Sequence, residues 1–193
     1  MADEFVPYPE AQNDPNTYEW TDEERQQIEK HIAKYPEKRS AIMPLLWMAQ
    51  EKWGWLPQKA IQLVADTLGE SYAHVYGVST FYTMYLKENR APNLIEICTC
   101  FSCTVTGGPE CYEKIKQRLD CDEHGVSADG KFFVREAECL GSCDTAPMGQ
   151  INNRRYVHNN DDDKNEEIIA TLEKGEELPY QQIPLVDQSV YKQ

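Results

Sequence analysis

The sequence has no apolar run near the roughly 18 residues that a membrane-spanning helix needs, and its richest stretch, SAIMPLLWMAQ, falls well short. It is also poor in positive charge, with 19 Lys and Arg against 33 Asp and Glu for a formal charge of −14. Such a chain repels a phosphate backbone, so nucleic acid is excluded as an expected partner. The opening MADEFVPYPEAQND lacks the basic residues and apolar run of a secretory signal, and the expected setting is a reducing, aqueous one. Histidine is scarce. His31, His74, His124 and His158 are scattered, and none falls inside a cysteine motif.

Cysteine is plentiful, with seven in 193 residues. In a reducing compartment clustered cysteines point to metal binding or catalysis rather than to a disulfide scaffold, and an odd count agrees. Cys98, Cys100 and Cys103 crowd into ICTCFSC, while Cys139 and Cys143 stand in ECLGSCDTAP.

The chain reads as α+β, in two parts with an extension at each end. Residues 1–20 carry Pro7, Pro9 and Pro15 without periodicity and read as an extended arm, ended where Thr21 caps a helix over TDEERQQIEKHIAKY. A second helix is expected from Ser40 to Gly54, with Pro44 tolerated near its first turn, and a third over QKAIQLVADTLG between Pro57 and Gly69. Ser71 and Ser79 read as caps of two short helices, SYAHVYG and STFYTMYL. Residues 21–90 are thus expected to form an N-terminal helical bundle. Its core or interface would draw on Trp47, Trp53, Trp55, Phe81, Tyr82 and Tyr85.

After Pro92 the pattern changes. LIEIC reads as a strand, PECYEKIKQRL as a helix, KFFVREAEC, QIN and RRYVHN as strands, and EEIIATLEKG as a closing helix. The order β, α, β, β, α over residues 91–176 is the thioredoxin-like arrangement. Residues 177–193 read as an extended tail, either a flexible end or a strap that orders on a partner subunit.

Two pairings of the first cysteine group predict different proteins. Cys100 with Cys103 makes C-x-x-C, the spacing of a thiol-disulfide oxidoreductase, whose first cysteine sits at a helix N-terminus. Here the helix is expected only after Gly107, Gly108 and Pro109, which disfavours that reading. Cys98 with Cys103 makes C-x4-C, matched downstream by the C-x3-C of Cys139 and Cys143. These four supply the thiolates of a [2Fe-2S] cluster, two for each iron, and the absence of histidine argues against a Rieske centre. Zinc in a four-thiolate site is the remaining inorganic alternative, although such sites usually use C-x-x-C knuckles. Cys111 and Cys121 read as packing residues. Cys100 stays open between substitute ligand, disulfide former and packing residue.

At this point CTCFSCTVTGG followed by ECLGSCDTAPMGQIN resembles the small thioredoxin-like [2Fe-2S] subunit of the NADH-dehydrogenase module of respiratory complex I (NADH:quinone oxidoreductase). The resemblance extends to PLLWMAQEKWGWLP and VYGVSTFYTMY and covers about residues 20 to 175. It implies a helical segment followed by a thioredoxin-like [2Fe-2S] ferredoxin domain. Cys98, Cys103, Cys139 and Cys143 would hold one [2Fe-2S] cluster that exchanges single electrons with FMN. FMN and NADH would be bound only by the adjacent NADH-oxidising subunit, so this chain carries no complete active site. Further complex subunits are implied as partners, on the cytoplasmic or matrix face of an energy-conserving membrane and without insertion into it. Related subunits also serve NAD-reducing hydrogenases and formate dehydrogenases. The family commonly has a polar or small residue at the position of Cys100. The thiolate set and acidic surroundings suggest a potential near the plant-type value of about −400 mV.

Overall fold

A computed structural model describes residues 17–176 and Leu178. The expected tail over 177–193, Leu178 apart, and most of the expected arm over 1–20 lie outside the described residues. The chain divides into two compact units, 1–89 and 90–193. Among the described residues no helix is long and apolar enough to cross a membrane.

The described part of the first unit is helical. Helix α1 (Asp22–Ile32) starts at Thr21, whose hydroxyl accepts the Glu24 amide at 3.2 Å while the Glu24 carboxylate accepts the Thr21 amide at 2.7 Å. This reciprocal box satisfies two donors that a helix start leaves bare. Helix α2 (Ile42–Trp53) begins two residues after the expected Ser40, because Lys38–Ala41 forms a 3-10 turn first. Pro44 still lies in its first turn, where no hydrogen bond is lost. Gly54 (φ 80°) ends α2, and Gly69 (φ 71°) ends helix α3 (Gln58–Leu68), both left-handed as a glycine stop requires.

Helix α4 (Tyr72–Phe81) replaces the two short helices expected over SYAHVYG and STFYTMYL. Gly77 keeps an ordinary helical backbone, and Ser79 is no cap: it is fully buried and its hydroxyl donates to the Tyr76 carbonyl at 2.8 Å. A serine that bonds back to its own helix need not end it. The inward stripe of α4 carries Val75 and Ser79, four residues apart, so Phe81 turns outward and is 77 % exposed. Phe81 and the exposed Tyr82 therefore do not belong to the core, whereas Tyr85 is buried in it and donates to the Met43 carbonyl at 2.9 Å.

Trp20, read from sequence as the end of the arm, belongs to this core instead. Its indole N–H donates to Thr67 Oγ1 at 2.9 Å, and its ring lies 5.6 Å from that of Trp53. Lys52 sits over both rings and reaches Glu24 Oε2 at 2.6 Å, tying the start of α1 to the end of α2. Trp20→Ala is expected to cost about 3 kcal/mol by leaving a cavity among Trp53, α2 and α3. Urea unfolding of the variant, with an unchanged slope and a lower midpoint, checks this.

The second unit is built on four strands: β1 (Asn93–Cys98), β2 (Phe132–Ala137), β3 (Gly149–Ile151) and β4 (Arg155–Val157). They lie in the order β2-β1-β3-β4, with β1 and β2 parallel and the other pairs antiparallel. Between β1 and β2 run a short helix α5 (Phe101–Val105) and the crossover helix α6 (Gly108–Arg118). Helix α7 (Asp162–Glu173) closes the unit, starting four residues before the expected Glu166 because Asp161 caps it by accepting the Lys164 amide. Ile95, Ile97, Val134 and Ile151 on the sheet pack with Cys111 and Ile115 of α6 and with Ile169 and Leu172 of α7. One sheet face is therefore apolar. On the other, Glu96 is buried and pairs with Arg135 across the β1–β2 register at 2.7 Å.

The turn entering β2 is held by two aspartates. Asp122 accepts the His124 and Val126 amides, each at 2.9 Å, and Asp129 accepts the Ser127 hydroxyl at 2.6 Å and the Lys131 amide at 3.0 Å. The Val126 amide foremost holds the Asp122 carboxyl below its ordinary value of 3.8, and the Ser127 hydroxyl does the same for Asp129. A carboxylate with a depressed folded value stabilises the fold above its unfolded value and loses that contribution as pH falls through the folded one. Protection of the His124, Val126 and Lys131 amides is therefore expected to fall as pH drops below about 3.8, whereas in Asp122→Asn the His124 and Val126 amides lose protection at neutral pH already and Lys131, held by Asp129, keeps its response.

Candidate functional site

The site gathers at the C-terminal end of β1. Cys98 is the last residue of this strand and pairs in register with Ala137, the last residue of the parallel β2. Cys139 thus follows two residues after the neighbour of Cys98. The loop from Glu138 to Met148 then returns as β3 on the opposite side of β1, where Gly149 pairs with Ile97. Two backbone bonds fix its ends: the Thr99 amide donates to the Ala137 carbonyl and the Cys98 amide to the Met148 carbonyl, both at 3.0 Å. The loop thus leaves on one side of β1, which ends at Cys98, and re-enters on the other.

Cys98 and Cys103 are 2 % and 1 % exposed and pack with Met148, Cys100 leaning on the same cluster. Burial, and then a hydrogen bond with Cys98, push the Cys103 thiol up to about 11. The Met148 amide opposes this by donating to the Cys103 sulfur, and a negative Cys143 acts in the same direction as burial. Cys103 thus feels both the other buried thiol and the far loop.

The structure corrects the expectation that no helix begins near Cys100. Helix α5 starts at Phe101 with Cys100 as its N-cap residue, and the Thr104 amide donates to the Cys100 carbonyl at 2.8 Å. The five-residue helix is too short to leave a periodic signal in sequence. It ends because Gly107 takes φ 99°, and α6 restarts at Gly108. Gly108 is required for a second reason: a Cβ there would lie 2.6 Å from the Cys98 carbonyl oxygen and 2.9 Å from that of Cys103. The backbone of α6 therefore seats directly on both cysteines. Gly108 and Met148 were missed by the sequence reading, and only the GG pair hinted at the close approach.

Cys139 and Cys143 are exposed, and Cys143 opens a 3-10 turn, Cys143–Thr145. His158, outside every cysteine motif in sequence, is brought to this loop: its Nδ1 lies 2.6 Å from Thr145 Oγ1. The Asn159 amide donates to the Thr145 carbonyl at 2.8 Å and the Asn160 amide to the Pro147 carbonyl at 2.6 Å. Residues 158–160 thus clamp the loop from below. Cys111 stands apart in the apolar core, its sulfur accepting from Asn160 and Asn165 at 3.4 and 3.3 Å, and Cys121 lies in the turn after α6.

All seven cysteines are free thiols. Among the described residues no three potential ligands converge on a point that could hold a single metal ion. Two buried and two exposed thiols are the donor type that a [2Fe-2S] cluster takes, two at each iron. The amide on Cys103 and the glycine seat under both buried cysteines fit the same group.

The family model for the thioredoxin-like [2Fe-2S] ferredoxin matches residues 28–173. A subunit of the NADH-quinone oxidoreductase of Thermus thermophilus is 33 % identical over 165 residues, covering 84 % of this chain and 91 % of its own. A subunit of the NADH-quinone oxidoreductase of Rickettsia bellii is 43 % identical over 128 residues, 65 % of this chain and 77 % of its own. A chain of an NAD+-reducing [NiFe]-hydrogenase in the H2-reduced state is alike in fold, with a TM-score of 0.58 at 18 % identity over 72 % of this chain and only 23 % of the hydrogenase chain. This chain belongs to the thioredoxin-like [2Fe-2S] ferredoxin family, in the branch of oxidoreductase subunits that these curated relatives represent.

Proposed function

We propose that the chain is an electron-transfer subunit of an NADH-quinone oxidoreductase, holding one [2Fe-2S] cluster on Cys98, Cys103, Cys139 and Cys143. Its electrons would be exchanged one at a time with FMN on an adjacent NADH-oxidising subunit, at the inner face of an energy-conserving membrane. The observation that supports this reading is the path of the 138–148 loop, which leaves beside Cys98 and returns beside Ile97, so that both cysteine pairs belong to the same end of the sheet. The names of the curated relatives support the parent enzyme. The helical unit, taken as a bundle over residues 21–90 with an arm and a tail at the chain ends, would serve assembly.

When bound, the cluster supplies one-electron redox chemistry, and the rest is done by the chain. Cys98 and Cys103 anchor one side in a site closed to water, as their burial requires. A backbone donor from Met148 to the Cys103 sulfur would stabilise negative charge there and so raise the potential of a bound cluster. Clamped by His158 and Asn160, the outer loop holds Cys139 and Cys143 at the surface, where a partner can approach.

The N-cap position of Cys100 favours a second reading, a thiol-disulfide oxidoreductase using Cys100 and Cys103. Insulin reduction by the purified chain separates the two. The electron-transfer reading expects no turnover in the wild-type protein, whereas turnover that vanishes in Cys100→Ser with metal content unchanged would establish the second.

A further inference from the structure

We infer that the outer face of α5, with the acidic rim around it, is the surface on which the electron-exchanging partner docks, and that the partner offers an apolar pocket edged by Lys and Arg. The inference rests on the electron-transfer reading and adds the surface and the chemistry of its occupant.

Phe101 and Val105 are 82 % and 72 % exposed and, with Phe81, are the most open large hydrophobic side chains among the described residues. Four residues apart on one helix, they are neighbours on one face. Cys103, between them in sequence, points inward and is buried. The same short helix therefore carries a proposed ligand on its inner side and an unpartnered aromatic and aliphatic pair on its outer side. Burying such a pair in a partner is the pattern of an interface anchor. Few residues carry most of the binding energy of an interface, and aromatic anchors are prominent among them.

Charge decides the occupant. Residues 97–111 and 137–151, the two segments that form the site, contain no Lys or Arg, while they include Glu110, Glu138 and Asp144. All three are exposed, and the Glu110 carboxylate lies near Gly107, where α5 ends. A second copy of the chain would bring these rims face to face, each on a chain of net charge −14, which opposes self-pairing. An anionic lipid surface is repelled for the same reason. A basic-edged protein surface is attracted, and buries Phe101 and Val105 as it closes over the exposed Cys139 and Cys143.

The test uses the full chain with its cluster and, as probe, the purified flavin-containing NADH-oxidising subunit from the same source. Metal content and the EPR signal of the reduced protein are recorded first, so that failure of the cluster assignment is seen separately from failure of the docking assignment. Phe101→Ser and Val105→Ser are expected to keep both and to weaken binding at least about tenfold each. Phe81→Ser, equally exposed but remote in sequence from the cysteines, should bind as wild type. Wild-type binding is expected to weaken as salt rises from about 0.05 to 0.5 M, and less steeply in Glu138→Gln and Asp144→Asn. Unchanged affinity in Phe101→Ser and Val105→Ser with the cluster intact would overturn the proposal. So would affinity that does not respond to salt, or a loss confined to Phe81→Ser.

Discussion

Cys98→Ser and Cys139→Ala are each expected to remove the visible absorbance and nearly all the iron of the purified protein, whereas Cys100→Ala and Cys121→Ala keep both. The two loss variants probe opposite sides of the site. Cys98 ends β1 in the buried cluster, and Cys139 lies in the exposed loop two residues past Ala137, the register mate of Cys98. If each iron takes two thiolates, removing either leaves one iron short of a ligand. Cys100 shares the inner cluster but serves as the N-cap of α5, a backbone role that alanine fills with little loss at a five-residue helix. Cys121 lies in the turn after α6, bridged to Ser127 rather than to the site. Iron and sulfide analysis of the four variants, prepared anaerobically, checks the pattern. Loss in Cys100→Ala with retention in Cys98→Ser would move the inner ligand to Cys100.

Gly108→Ala is expected to be the most damaging substitution outside the cysteines. The added methyl would meet the Cys98 carbonyl at 2.6 Å and the Cys103 carbonyl at 2.9 Å, and backbone atoms cannot swing aside as a side chain does. Relief requires α6 to lift away from the end of β1 and from α5, the elements that carry Cys98 and Cys103. Overpacking of this kind costs about 1–3 kcal/mol, here spent at the place where ligand geometry is set. Gly77→Ala is the internal comparison. It lies in α4 with no heavy atom near the added methyl and an ordinary helical backbone, so alanine should leave the iron untouched and raise stability by roughly 0.5–1 kcal/mol. Thermal unfolding and iron content of the two variants, measured side by side, check both halves. Equal iron in Gly108→Ala and wild type would mean that α6 does not position the ligands.

Much of this was legible in sequence where a local rule acts alone. Thr21 with Glu24, Gly54 and Gly69 mark helix ends by side-chain capping and left-handed glycine, and each stands where those rules put it. The strands over LIEIC and KFFVREAEC carry the apolar residues that α6 and α7 cover. The misreadings arose where a rule had a competitor. Ser79 has the residue type of a cap, but a buried serine bonded to its own helix carries the chain through. Of the two places expected for Phe81, core or interface, its angular position on α4 removes the core. Helix α5 was invisible because five residues leave no period, and that removed the sequence argument against the Cys100–Cys103 pairing. The spacing of the cysteines suggested which thiols belong together, but not how. Parallel register between Cys98 and Ala137, the return of the loop at Gly149 and the seat at Gly108 are long-range facts that no window of sequence contains.

The most direct measurement is the iron, zinc and acid-labile sulfide content of the full chain purified without oxygen, together with the EPR spectrum after reduction. The account predicts coloured protein with about two irons and two sulfides per chain and a signal that appears on one-electron reduction. Colourless protein carrying about one zinc per chain, with no sulfide and no reducible signal, would contradict it.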